Sequence, residues 1–110
     1  MIKIYCLDNS ELTEFESSSR GYRSDIFVIT IAGDIYQLHV YDIIRLQQDF
    51  ETEIESYGFF GIEPNIILVK EVLLSNIRLT IVKLFAQKFF EYLKPIEENK
   101  VEIKKMVEVS

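Results

Sequence analysis

Apolar and polar positions alternate with two different periods along this chain, and the changes between them mark out its elements. Ile2 to Leu7 is a short run of β-branched, aromatic and aliphatic residues and predicts a first strand. Asn9 to Arg23 is polar, with three consecutive serines at Ser17 to Ser19 and then Gly21. It reads as a loop, with at most one helical turn where Leu12 and Phe15 share a face. Asp25 to Ala32 is the clearest strand, with Phe27, Ile29 and Ile31 on one side and Ile26, Val28, Thr30 and Ala32 on the other. Apolar character on both sides predicts a central strand covered twice. Gly33-Asp34 predicts a two-residue hairpin turn, since glycine tolerates the positive φ such turns require. The return strand, Ile35 to Tyr41, sets Tyr36, Leu38 and Val40 against Gln37 and His39.

The period then changes to that of a helix. Asp42 is placed to cap it, and Ile43, Leu46, Phe50, Ile54 and Tyr57 form one apolar stripe that Gly58 ends. Asp49, Glu51 and Glu55 flank or oppose that stripe and are expected to face water. After Phe59-Phe60-Gly61-Ile62 and the break at Pro64-Asn65, Ile66 to Glu71 predicts another strand. Ser75 or Asn76 can cap a second helix running to about Leu93, before Pro95. Its polar positions, Thr80, Lys83, Gln87, Glu91 and Lys94, make one narrow stripe. Most of the rest is apolar, so this helix must pack on the sheet and also on the first helix, the C-terminal segment or a second copy of the chain.

The order β, β-hairpin, α, β, α predicts an α+β fold, a mostly antiparallel sheet with two helices packed on it. Residues 1–96 form one domain on this reading, and 97–110 a charged tail. In that tail Val101, Ile103, Val107 and Val109 fit a bulged strand, while Ile103, Met106 and Val107 fit a helical turn.

Composition narrows the function. A chain of 110 residues suffices for one core without disulfide or metal, and eight Phe and six Tyr supply bulky filler for it. No apolar run is long enough to span a bilayer, and the start lacks the features of a secretory signal, so a cytoplasmic protein is expected. The formal charge of −6 disfavours a nucleic-acid partner. That charge is concentrated: Tyr41 to Glu71 holds seven acids and two bases, whereas Val72 to Ser110 holds seven bases and five acids.

Candidate chemistry is sparse. His39 is the single histidine, and as a general base it would need a carboxylate such as Asp34 or Asp42 beside it. On the polar side of a strand it reads better as a surface or edge residue. Cys6, the single cysteine, lies among apolar neighbours and reads as a small core residue rather than an activated thiol. Asp49, Glu51, Glu53 and Glu55 alternate along a helix and so cannot converge on one cation. No catalytic, cofactor or metal site is expected. The acidic run reads either as a solvated helix face or as a surface that steers a basic partner.

From about Leu12 to Ile96 the arrangement resembles the bacterial immunity protein 8 family, small proteins found with polymorphic toxin systems. The features are the Phe27-Val28-Ile29-Thr30-Ile31 strand, the aromatic return strand Tyr36-Gln37-Leu38-His39-Val40, the acidic amphipathic helix, the Phe59-Phe60-Gly61 segment, and the Ile67-Leu68-Val69-Lys70-Glu71 strand leading to a closing helix. The tight hairpin turn, the highly apolar second helix and the tail after Ile96 depart from that pattern. The resemblance implies a cytosolic antidote that binds and occludes a cognate toxin, and it transfers no catalytic residue. Asp49, Glu51 and Glu55 are the expected partner-facing acids. The competing expectation is an adaptor or structural subunit that homodimerises through its apolar second helix.

Overall fold

The structure, a computed structural model, describes residues 1–97 and 102–109. It is an α+β fold built on one five-stranded sheet of order β4-β3-β2-β1-β5. The strands are β1 (Ile2–Cys6), β2 (Tyr22–Thr30), β3 (Ile35–Tyr41), β4 (Ile66–Leu68) and β5 (Val107–Glu108). Every pairing is antiparallel except β3 with β4. Parallel neighbours need a crossover, and helix α2 (Ile43–Tyr57) supplies it.

One side of the sheet carries the core. Ile4 and Cys6, Ile26 and Val28, Tyr36, Leu38 and Val40, and Ile67 pack with Ile77 and Ile81 of helix α3 (Leu74–Ala86) and with Phe90. Burying each large aliphatic side chain fully contributes about 1.5–3 kcal/mol. The other side is also covered, as the two-sided apolar pattern of β2 requires: Phe27, Ile35 and Tyr41 are buried there. A segment after α3 crosses this side. Ile96 bridges to Ile35, Ile103 shares a hollow with Ile29 and Ile35, and Met106 shares another with Phe27. The 3₁₀ turn Ile103–Lys105 is followed directly by β5, which pairs with β1, so turn and strand occur in succession. Val101, a position of the expected bulged strand, lies outside the described residues.

Several local expectations are corrected. Residues Glu11–Arg20 form a complete helix, α1, where a loop was expected. The Ser10 hydroxyl accepts from the Thr13 N–H, Glu11 and Glu14 occupy the first turn, Arg20 the last, and Gly21 closes it at φ 69°. No apolar stripe announces it, because its buried residue is Ser17 while Leu12 and Phe15 are exposed. The hairpin turn is longer than two residues. Gly33 N–H donates to Thr30 C=O and Thr30 N–H to Asp34 C=O, giving a turn through Ile31, Ala32 and Gly33 with glycine at φ 94°. Ile31, expected in the strand, therefore lies in the turn and is exposed.

Helix α3 begins and ends differently from expectation. Ser75 and Asn76 lie inside it, and its cap position is Leu73, which offers no side-chain acceptor. Glu14 of α1 supplies one instead, its Oε1 accepting from the Leu74 N–H at 2.6 Å. The helix stops at Ala86 rather than near Leu93, breaking through Lys88 at φ 61° into a 3₁₀ turn, Phe89–Tyr92. The break delivers Phe90 edge-on to Tyr36 and Phe85, with ring centroids 5.2 and 5.7 Å away. The polar stripe from Thr80 to Lys94 therefore does not lie along a single helix.

Candidate functional site

The feature that departs most from a closed globule is α2. Asp42 caps it through the Arg45 N–H and Gly58 ends it at φ 81°, as the sequence predicts. Its orientation is not the expected one. Among the described residues α2 contributes no buried side chain, and its half-buried positions are Arg45, Leu46, Asp49 and Glu53, spaced as one helical face. The helix thus meets the body along a mostly polar edge. Arg45 explains why: its guanidinium lies 5.2 Å from the Tyr22 ring centroid, donates to Asp49 Oδ1 at 3.0 Å, and also donates to the Arg20 carbonyl. Such a cation on an aromatic face, paired with a carboxylate, holds a helix without needing its apolar residues.

Most of the apolar stripe is consequently turned outward, with Leu46 alone of its residues half-buried toward the body. Ile43, Phe50 and Tyr57 are 62%, 48% and 68% exposed, and just after the helix Phe59 and Ile62 are exposed as well, at 67% and 65%. Soluble monomers seldom expose apolar residues in one contiguous stretch without a use for them.

The three expected acids do not share one face. At 100° per residue Asp49 lies with Glu53 on the side toward the body, while Glu51 and Glu55 lie together on the far flank. Asp49 is held by Arg45, Glu51 accepts from the Gln47 side-chain amide at 3.4 Å, and Glu55 is exposed. The result is an apolar ridge with carboxylates along both flanks. The sequence contained this stripe, but periodicity alone says that a stripe exists and not which way it is turned.

The two candidate chemical residues lie on opposite sides of the sheet. Cys6 is fully buried in the core, where burial pushes its thiol up, opposed by the nearby Arg23 guanidinium. A thiol held protonated is a poor nucleophile. His39 is half-buried on the other side, its Nδ1 3.3 Å from Glu63 Oε2 and 3.4 Å from the Tyr22 hydroxyl. Its carboxylate neighbour is thus Glu63, not Asp34 or Asp42. With Gln37, Asn65 and Lys94, His39 and Glu63 line an open hollow of about 470 Å³.

Asn65 organises that region. It sits at φ 67°, a conformation asparagine adopts more readily than most residues, and is almost completely buried. Its side chain donates to the carbonyls of Gln37 and Lys94 and accepts from the Lys94 N–H at 2.8 Å. Its own carbonyl accepts from the His39 N–H. One residue so ties the loop after α2, the edge of β3 and the segment after α3 together. Asparagine was legible here only as a chain break.

Among the described residues no group of three or more His, Cys, Asp and Glu is placed to hold a metal ion. No helix among them is long and apolar enough to cross a membrane. Compared with known proteins, the chain matches no family model, no curated sequence and no solved structure.

Proposed function

We propose that this chain is an immunity-type inhibitor: a non-enzymatic cytoplasmic protein that binds a cognate protein toxin and blocks it by covering its working surface. The observation that carries the reading is the orientation of α2, which turns most of its apolar stripe to solvent between two rows of carboxylates. An apolar centre with a charged border is the composition of a protein–protein interface. The acids Asp49, Glu51 and Glu55 belong to a segment rich in negative charge, which favours a basic partner surface and fast association with it. The arrangement of strands and helices that resembles the immunity protein 8 family supports the choice of a toxin as that partner. Expressing the nearest large neighbouring reading frame with and without this chain tests the proposal. Killing by the neighbour and rescue by this chain is the expected outcome, and a harmless neighbour or failed rescue refutes it.

A second reading keeps support from α3, whose Leu79 and Val82 stay outward at 52% and 43% exposure. They would form the contact of a homodimeric adaptor. Gel filtration at micromolar concentration decides: a clean monomer leaves no stable dimer for that surface to make.

A further inference from the structure

Between α2, the loop after it and the second side of the sheet lies a small hollow of about 180 Å³, lined by Tyr41, Glu53, Phe60, Gly61, Glu63 and Ile66. Its walls come from one stretch of the chain, Tyr41 to Ile66, and two of its rings are braced from outside the hollow. Phe60 is braced by Phe50, ring centroids 6.3 Å apart, and Tyr41 by Tyr22 at 4.7 Å. Two carboxylates and a phenol thus border a space that also has an aromatic wall, and Gly61 at its rim has no side chain to fill it. Glu63 has His39 as a neighbour, while Glu53 has no ion pair among the described residues. The only base on α2, Arg45, is already committed to Asp49, Tyr22 and the Arg20 carbonyl. Burial, followed by the neighbouring Tyr22, Asp49 and Glu63, pushes the Tyr41 phenol up, with Arg45 opposing.

We propose that this hollow receives the guanidinium of an arginine on the partner, presented beside an apolar segment that lies along the α2 ridge. An arginine fits better than a lysine, because its planar fork can bond carboxylates while its face stacks on Phe60. The fold displays the same chemistry next door, where Arg45 lies over Tyr22 and bonds Asp49. A second copy of this chain is a poor occupant, since two such acidic surfaces repel one another. The inference rests on the immunity reading only in taking the toxin as the source of the arginine.

The test needs no toxin at first. The full ¹⁵N-labelled chain is titrated with N-acetyl-arginine N-methylamide, and in parallel with the citrulline analogue, which has the same shape and no charge. Saturable shifts of the Glu53, Gly61 and Glu63 amides are expected with arginine through the millimolar range, and none with citrulline. Glu53→Gln combined with Glu63→Gln abolishes them, and Phe60→Leu, which keeps an apolar wall of similar size, weakens them. In the complex, the double variant weakens toxin binding by about tenfold or more. Absent shifts, equal shifts with citrulline, or shifts that survive the double substitution overturn the proposal. The two proposals fail separately. Rescue without arginine binding removes the pocket and leaves the immunity reading, while arginine binding beside a harmless neighbour does the reverse.

Discussion

Replacing Asn65 separates two contributions that a single substitution would confuse. Asn65→Ala removes three side-chain hydrogen bonds, those to Gln37 C=O, Lys94 C=O and Lys94 N–H. At about 1 kcal/mol net for each, their loss costs about 3 kcal/mol. Alanine must also hold the left-handed backbone at φ 67°, which adds roughly 1 kcal/mol and brings the total to about 4. Asn65→Gly loses the same bonds but adopts that backbone without strain, so its cost is smaller, about 2–3 kcal/mol. The expected order of stability is therefore asparagine, then glycine, then alanine. Urea unfolding followed by far-UV circular dichroism reads it, with equal slopes required before midpoints are compared. Glycine matching the wild type would mean the bonds contribute nothing. Alanine matching or exceeding glycine would mean the backbone conformation is not the one described.

Three further outcomes follow from other contacts. Gly21→Ala combines a positive φ with a methyl group 2.5 Å from the Asp42 carboxylate oxygens, so it disturbs the cap of α2 as well as the end of α1. A loss of about 2 kcal/mol or more is expected in thermal or urea unfolding, and one near zero would contradict the close approach. Glu14→Ala removes the acceptor at the start of α3 and should cost about 1 kcal/mol, with faster hydrogen exchange at the Leu74 amide. Glu14→Gln, which keeps an acceptor, should cost less. Because burial raises the Cys6 thiol above its unfolded value, the unfolded chain loses that proton first as pH rises. Native stability should thus decline above the unfolded thiol pKa, and decline less in Cys6→Ala. Thiol reagents should label Cys6 at the rate of unfolding, and rapid labelling at neutral pH would show that it is not buried.

Elements whose burial follows their own periodicity were legible in the sequence. The β2–β3 pairing, the Asp42 cap and the Gly58 stop were all legible, although β2 runs Tyr22–Thr30 rather than Asp25 to Ala32 and its turn is longer than two residues. What could not be read depends on partners distant in sequence. The start of α3 is capped by Glu14, sixty residues earlier, so no cap residue stands before it. The break at Lys88 exists because Phe90 is needed against Tyr36 and Phe85, and no glycine marks it. Helix α1 did carry its signals in Ser10, Glu11, Glu14 and Gly21, but three serines and the lack of an apolar stripe outweighed them. The expected acids show the same division. Their place on α2 and the split of Asp49 from Glu51 and Glu55 were readable from helix geometry, while which of the two flanks faces the body was not, because it follows from the grip of Arg45 on Tyr22.

That grip also lets a helix stand on the fold without the fold depending on its apolar residues. If the stripe of α2 were packed on the sheet, each of its large residues would contribute to stability, and truncating one would cost about 2–5 kcal/mol. Turned outward, Ile43, Tyr57, Phe59 and Ile62 are exposed enough for polar substitution to change stability by no more than about 0.5 kcal/mol. The same substitutions remove apolar surface from the proposed interface, where a central anchor residue can be worth 2 kcal/mol or about thirtyfold in affinity. Tyr57→Ser with Phe59→Ser should therefore leave the urea midpoint nearly unchanged while weakening the proposed toxin complex at least tenfold. Loss of both together would place the stripe in the core, and loss of neither would move the interface away from α2.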